Sequence, residues 1–349
     1  MKNNMDIDIK SIKILLMVIV AFFIVAALQY LKSIFIPLVL AVMVSFIFSP
    51  MQRFLKKKKI PKFIIIILTI SLIFFIFYGL GILIYSGVSS FSDKFPAYER
   101  HFIQSSESFF DRINIPLPNV KEYFKSKFNW INVIQNFSLP GFLRNAMGNF
   151  ADFFIKLLLT LIFLVFVLDE KDRLLTRIED SIDSDDKIHT TRMILNIEKQ
   201  IQTYLFNKTL ISLLTAISGI IVMIIFKIDF IIVAGLLLFF LNFIPNFGSF
   251  VASGFPIMVY AFKHGIDFNL FLITGLFFLI QVFFGTFLDP KLQGFRLKMS
   301  PLIILISLIF WGWLWGPIGM VLAVPLTAAI NIILKEYYSK NIISIILDV

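Results

Sequence analysis

Long apolar stretches separated by short charged turns run through most of this chain. They are Ile14–Tyr30, Ser33–Phe48, Phe63–Tyr85, Phe153–Leu168, Thr209–Phe226, Ile231–Phe262, Phe268–Leu288 and Leu302–Leu334. A helix rises about 1.5 Å per residue and the hydrocarbon core of a bilayer is about 30 Å thick, so about 20 residues make one crossing. Two stretches do not fit that length. Ile231–Phe262 and Leu302–Leu334 would each make a helix of about 50 Å, and neither contains a charge. Each is broken in its middle by turn formers, Ile244-Pro245-Asn246-Phe247-Gly248-Ser249 in the first and Gly316-Pro317-Ile318-Gly319 in the second. Split there, each gives two arms of about 20 Å, too short to cross alone. The pattern predicts two re-entrant helical hairpins. Their non-helical tips persist at membrane depth only where protein buries them or a wet cavity solvates them.

The second half of the chain then reads span, hairpin, span, hairpin, with a second proline in each far arm, Pro256 and Pro325. Charge sets the orientation. Arg53, Lys56, Lys57, Lys58, Lys59 and Lys62 lie between two spans and belong in the cytoplasm, as do Lys2, Lys10 and Lys13 at the N-terminus. Two re-entrant hairpins put Lys291, Arg296, Lys298 and Lys335 inside and leave Lys227 and Lys263 on the outer turns. Full crossings would put the basic loop outside, so the hairpin topology is favoured. It makes the two units inverted repeats. Paired broken segments of that kind point to a transporter's binding site. The basic start followed by Ile14–Leu28 has the outline of a cleaved signal peptide. It lacks a small-residue exit and another apolar segment follows at once, so it reads as a membrane segment.

Two intervals are amphipathic instead. Phe91, Phe95, Tyr98, Phe102, Phe109 and Ile113 recur at helical spacing, perturbed by Pro96, and Val120 to Ile134 suggests a second helix. Their aromatic stripe reads as a contact surface, ahead of solute capture. On the cytoplasmic side, Met193, Ile194, Ile197, Ile201, Tyr204 and Leu205 form a stripe behind a solvated acidic turn, Asp183, Asp185 and Asp186. The expected organisation is 1–85 N-terminal transmembrane helices, 86–150 an external helical insertion, 151–168 a transmembrane helix, 169–208 a cytoplasmic amphipathic region, 209–262 and 263–334 the repeats, and 335–349 a cytoplasmic tail. The fold class is an all-α polytopic membrane protein with transmembrane helices plus two re-entrant hairpins in inverted repeats.

Composition agrees. The chain has 349 residues, is 58% hydrophobic and has a mean hydropathy of +0.90, which excludes an ordinary soluble domain. Its net charge of +10 sits beside apolar runs, without a nucleic-acid motif. There is no cysteine, and the three histidines lie far apart, so neither a thiol nor a metal site is expected. No Walker motif or nucleophile–base constellation appears, so neither enzyme activity nor a cofactor is expected. The candidate substrate-binding residues are those of the tips and the facing span: Asn242, Pro245, Asn246, Gly248, Ser249, Gln281, Trp315, Gly316, Pro317 and Gly319. Gln281 is a lone amide in an apolar run and needs a partner. Asp289, at the end of that span, is the candidate coupling residue. Hairpins without a charge suit a small polar solute, uncharged or weakly anionic, better than a proton-coupled cation.

Several segments carry a family resemblance. Leu241 to Ser249, Asp289-Pro290-Lys291-Leu292-Gln293-Gly294, Ser300-Pro301-Leu302, Phe310 to Met320 and Ala323-Val324-Pro325-Leu326 together resemble the autoinducer-2 exporter family of bacterial permeases, in order and spacing. Thr286 departs from the pattern, since many relatives carry Asn there. The resemblance implies a homo-oligomer, a pentamer, in the inner membrane. Each protomer would export autoinducer-2 or a similar small polar solute by an elevator-like shift of the hairpin domain. Some relatives look like sodium/proton antiporters, which keeps that alternative open, beside a membrane scaffold or regulatory role.

Overall fold

The structure, a computed structural model, describes residues 2–112, 154–170, 173, 177, 184–245, 247–293 and 299–337. The helices are α1 (Lys2–Tyr30), α2 (Lys32–Lys57), α3 (Lys62–Arg112), α4 (154–170), α5 (Ser184–Ile225), α6 (Ile231–Leu241), α7 (Phe247–His264), α8 (Phe268–Gln281), α9 (Asp289–Gln293) and α10 (Pro301–Tyr337). A π-helical segment, Val282–Leu288, joins α8 to α9. Among the described residues every regular element is helical. Among the same residues, five helical stretches are long and apolar enough to cross a bilayer. The chain is a multi-pass membrane protein.

It forms two compact units. One comprises Met1–Ser49, Phe154–Ile197 and Met299–Val349, and the other Pro50–Phe153 and Glu198–Lys298. The first contains the Gly316–Gly319 break. Pro301 opens α10 behind Ser300, whose Oγ accepts the Ile303 N–H at 3.2 Å, a serine cap followed by a proline in the first turn. By length and composition α10 passes for one span, but the chain turns back within it. Trp311 Nε1 donates to Thr327 Oγ1 at 3.1 Å, although a straight helix would hold residues so spaced about 24 Å apart. The reversal occurs at Gly316, with φ 68° and ψ −149°, a region essentially closed to residues with a side chain. A Cβ on Gly319 would lie 1.9 Å from the Trp311 carbonyl oxygen, so the arms meet backbone to backbone. Near the tip, Trp315 Nε1 donates to the Leu28 carbonyl of α1 at 3.1 Å. That carbonyl lies just before Leu31, the single residue between α1 and α2.

In the other unit α6 and α7 form a helical hairpin of the same design. A Cβ on Gly248 would lie 1.7 Å from the Leu241 carbonyl oxygen. The two ends of the hairpin sit together, because Lys263 Nζ donates to the Lys227 carbonyl at 3.1 Å and meets Asp229 Oδ2 at 2.7 Å. The arms, 11 and 18 residues long, span about 17 and 27 Å. They pack against α3, α5 and α8 around Met223, Leu238, Ala252, Val259, Ile273 and Phe277. Lipid tails are as apolar as leucine, so such a core is held by close packing and hydrogen bonds more than by withdrawal from solvent.

Three features differ from the sequence pattern. The span at Phe63–Tyr85 and the aromatic stripe beyond it are one unbroken helix, α3, which accommodates Pro96. The stripe at Met193–Leu205 likewise continues without a break into the next span as α5. Asp185 and Asp186 open that helix instead of lying in a turn, where acidic groups favour the helix N-terminus. The second helix expected over Val120–Ile134 lies outside the described residues.

A polar seam beside the first hairpin tip

Five buried polar side chains join the tip of the α6–α7 hairpin to the spans on either side. Asn242, the first residue after α6, donates from Nδ2 to Ser212 Oγ of α5 at 3.1 Å. Its Oδ1 accepts from Ser249 Oγ at 2.7 Å. Ser253 Oγ donates to the Ser249 carbonyl at 2.9 Å. Gln281 of α8 donates from Nε2 to that same carbonyl at 3.2 Å and to Ser253 Oγ at 2.8 Å. The carbonyl can only accept, which fixes the nitrogen of the Gln281 amide toward it. Its oxygen, Oε1, is buried without a hydrogen-bond partner. The lone amide of an apolar run thus has the partner its burial demands, and a free acceptor besides.

One turn before Ser212, Lys208 is almost wholly buried, and its Nζ meets Asp289 Oδ2 at 2.7 Å. The neighbouring Asn207 Nδ2 donates to the Leu292 carbonyl at 2.7 Å, so two consecutive residues of α5 clip onto the α9 end of the next span. Asp289 itself is placed by the π-helical segment. Its N–H bonds to the Phe284 carbonyl, five residues back.

Of the residues singled out from sequence, Asn242, Ser249 and Gln281 come together here. Gly248 is packed on Leu241, and Pro245 is half-buried in the turn. Asn246 lies outside the described residues. Trp315, Gly316, Pro317 and Gly319 form the tip in the other unit. There the Trp315 N–H is engaged by Leu28, and the Trp311 ring lies tilted at 50° to that of Trp315, 5.0 Å between ring centres. Ser212 and Ser253 were missed, since a serine in an apolar run is an ordinary residue. The pairing of Lys208 with Asp289 was also missed. Its signal was legible: two opposite charges, each at the end of an apolar span.

The opposite end of this unit carries a second cluster. Asp229 accepts from the Tyr98 hydroxyl of α3 and from Lys263 of α7, with Lys94 of α3 at 3.8 Å. Burial pushes the Asp229 carboxyl up, but Lys263 and Tyr98 outweigh it and hold it below the usual carboxylate range. Burial and the bond to Asp229 push the Tyr98 phenol up, so it stays the donor. A carboxylate whose folded value is depressed stabilises above its unfolded value and loses that contribution as pH falls through the folded one. The hydrogen-exchange protection factor of the 227–230 turn, which removes the intrinsic pH dependence of amide exchange, is therefore expected to be flat near neutrality and to fall only below about pH 4. Asp229→Asn should remove that pH dependence.

A family model described as AI-2E family transporter matches residues 13–339. The chain belongs to the AI-2E transporter family. Among similar proteins, one from Haemophilus influenzae with a provisional transport-protein name is 29% identical over 342 residues, 96% of this chain and 95% of that protein. The AI-2 transport protein TqsA of Escherichia coli is 26% identical over 345 residues, 98% and 97% of the two chains. A provisionally named transport protein of Borreliella burgdorferi is 28% identical over 322 residues, 91% and 86%. Membership makes the chain a membrane transporter.

Proposed function

We propose that this transporter exports a small, polar, hydroxylated solute such as autoinducer-2, handled by the two hairpins and moved by an elevator-like displacement of the hairpin domain. The observation that carries the reading is the polar seam. It puts amide and hydroxyl groups at the tip of a hairpin whose first arm, 11 residues long, is too short to cross a bilayer singly. The name of the relative TqsA supports the choice of solute. The hairpins are re-entrant from opposite sides, as inverted repeats. The protein is a homo-oligomer, a pentamer, of the bacterial inner membrane with both termini in the cytoplasm.

Pro317→Ala and Asn246→Ala should each cut efflux by about tenfold or more while leaving membrane insertion intact. Autoinducer-2 in the medium of deletion and overexpressing cells is the measurement, and normal efflux in both variants would sink the site assignment. The chain has no cysteine, so topology has a clean test. Cysteines placed at His264 and Arg296 should label from opposite sides of the membrane, and same-side labelling would overturn the inverted repeat.

One observation favours a second reading, a sodium/proton antiporter. Charge-free hairpins argued against it, but the buried Lys208–Asp289 pair places an ionisable group at the inner end of two spans. Sodium-dependent pH changes in proteoliposomes that vanish in Asp289→Asn would select it, and a flat trace with the unaltered chain excludes it.

A further inference from the structure

We propose that Lys208 is the charged contact for the transported solute, held in reserve by Asp289, so that the solute carries an anionic oxygen group. The proposal rests on the transporter reading above and adds the charge of the substrate to it. A buried ammonium is costly unless it is paired and fully hydrogen-bonded, and inside a membrane it is a functional group by default. Lys208 has three N–H donors to place, and among the described residues Asp289 is the partner its ammonium meets. The pair is also lopsided. The Lys208 side chain is 3% exposed and that of Asp289 17%. When the pair opens, the carboxylate has a way toward water and the ammonium stays inside, one turn from Ser212 and so from the hairpin tip.

The π-helical segment supplies the joint. From Gln281 to Asp289 an unbroken α-helix would turn the two side chains about 80° apart. One π turn, with its extra residue, takes back about 100° and leaves them within about 20°. That is why Gln281 can face Ser249 and Ser253 while Asp289 faces Lys208. Relaxing the segment to α-helical register turns Asp289 away from Lys208 and leaves Gln281 on the hairpin. The free Gln281 Oε1 is a second point on the same face, an acceptor suited to a hydroxyl of the same solute.

A structural ion pair and a ligand contact predict different asymmetries. The test uses the full chain in lipid nanodiscs, with sodium acetate and inorganic phosphate as probes against sodium chloride of equal ionic strength. Asp289→Asn, which frees Lys208, should show a saturable rise in melting temperature with acetate or phosphate. Lys208→Gln/Asp289→Asn should show none. Equal responses, or none in Asp289→Asn, overturn the proposal. Should Asp289→Asn fail to fold, the double variant decides alone, because it leaves no unpaired buried charge. It should insert normally and lose export of anionic metabolites by about tenfold or more in a profile of the medium, and retained export overturns the proposal. Anion binding without export of any metabolite by the unaltered chain would instead remove the transporter reading.

Discussion

Gly316→Ala is expected to abolish efflux and to lower the yield of folded protein. The residue turns α10 back on itself at φ 68° and ψ −149°. A Cβ there costs about 1–3 kcal/mol in backbone strain, and the alternative to paying that cost is to open the turn. Opening it separates Trp311 from Thr327, and it lifts Gly319 off the Trp311 carbonyl. The straightened segment would be a single helix of about 50 Å, too long for the bilayer core. Gly312→Ala is the control. It meets the Met320 side chain, at Cγ and Cε, and no backbone atom as close, and efflux should fall less. Thermal unfolding in detergent and efflux from cells measure the two consequences, and equal behaviour of the two alanine variants would show that the turn is not the weak point.

Asn242→Leu should give the second large effect. The amide is held at both ends, by Ser212 on α5 and Ser249 on α7. Interhelical hydrogen bonds in membranes average only about 0.6 kcal/mol, because an unfolded segment also finds partners. The larger cost is the abandoned partner. Leucine leaves two buried hydroxyls without their amide, at about 1–3 kcal/mol each. A loss of about 2–5 kcal/mol is therefore expected, and it should shrink when Ser212→Ala removes one orphan. A double-mutant cycle on those two positions should show coupling of about 0.5–3 kcal/mol. Strict additivity would mean that the seam is not a network.

What could be read from the sequence follows the physics of each signal. Hydropathy located the spans and both breaks, because a bilayer imposes length on every crossing helix and Gly316-Pro317 cannot sit inside one. Gln281 was legible as a buried amide, since nothing else in Phe268–Leu288 can hydrogen-bond through its side chain except Asn269, Thr274 and Thr286. Its partners were not, because Ser212 and Ser253 become special only when three helices meet. The continuity of α3 was hidden by Pro96 and by the change from apolar to mixed composition near Tyr85. A helix leaving a membrane changes its surroundings without changing its hydrogen bonding. The register of Asp289 was hidden as well, since a π turn leaves no mark on an apolar run.

The unbroken course of α3 has a mechanical consequence. It starts just after the turn at Lys59 and reaches Tyr98, whose hydroxyl holds Asp229 at the base of the first hairpin. Those 37 residues form a rod of about 54 Å without a hinge. A shift of the lysine-rich turn is therefore delivered to the hairpin base almost undiminished. Pulling forces applied to that turn should be felt at Asp229 before they are felt by the helices in between.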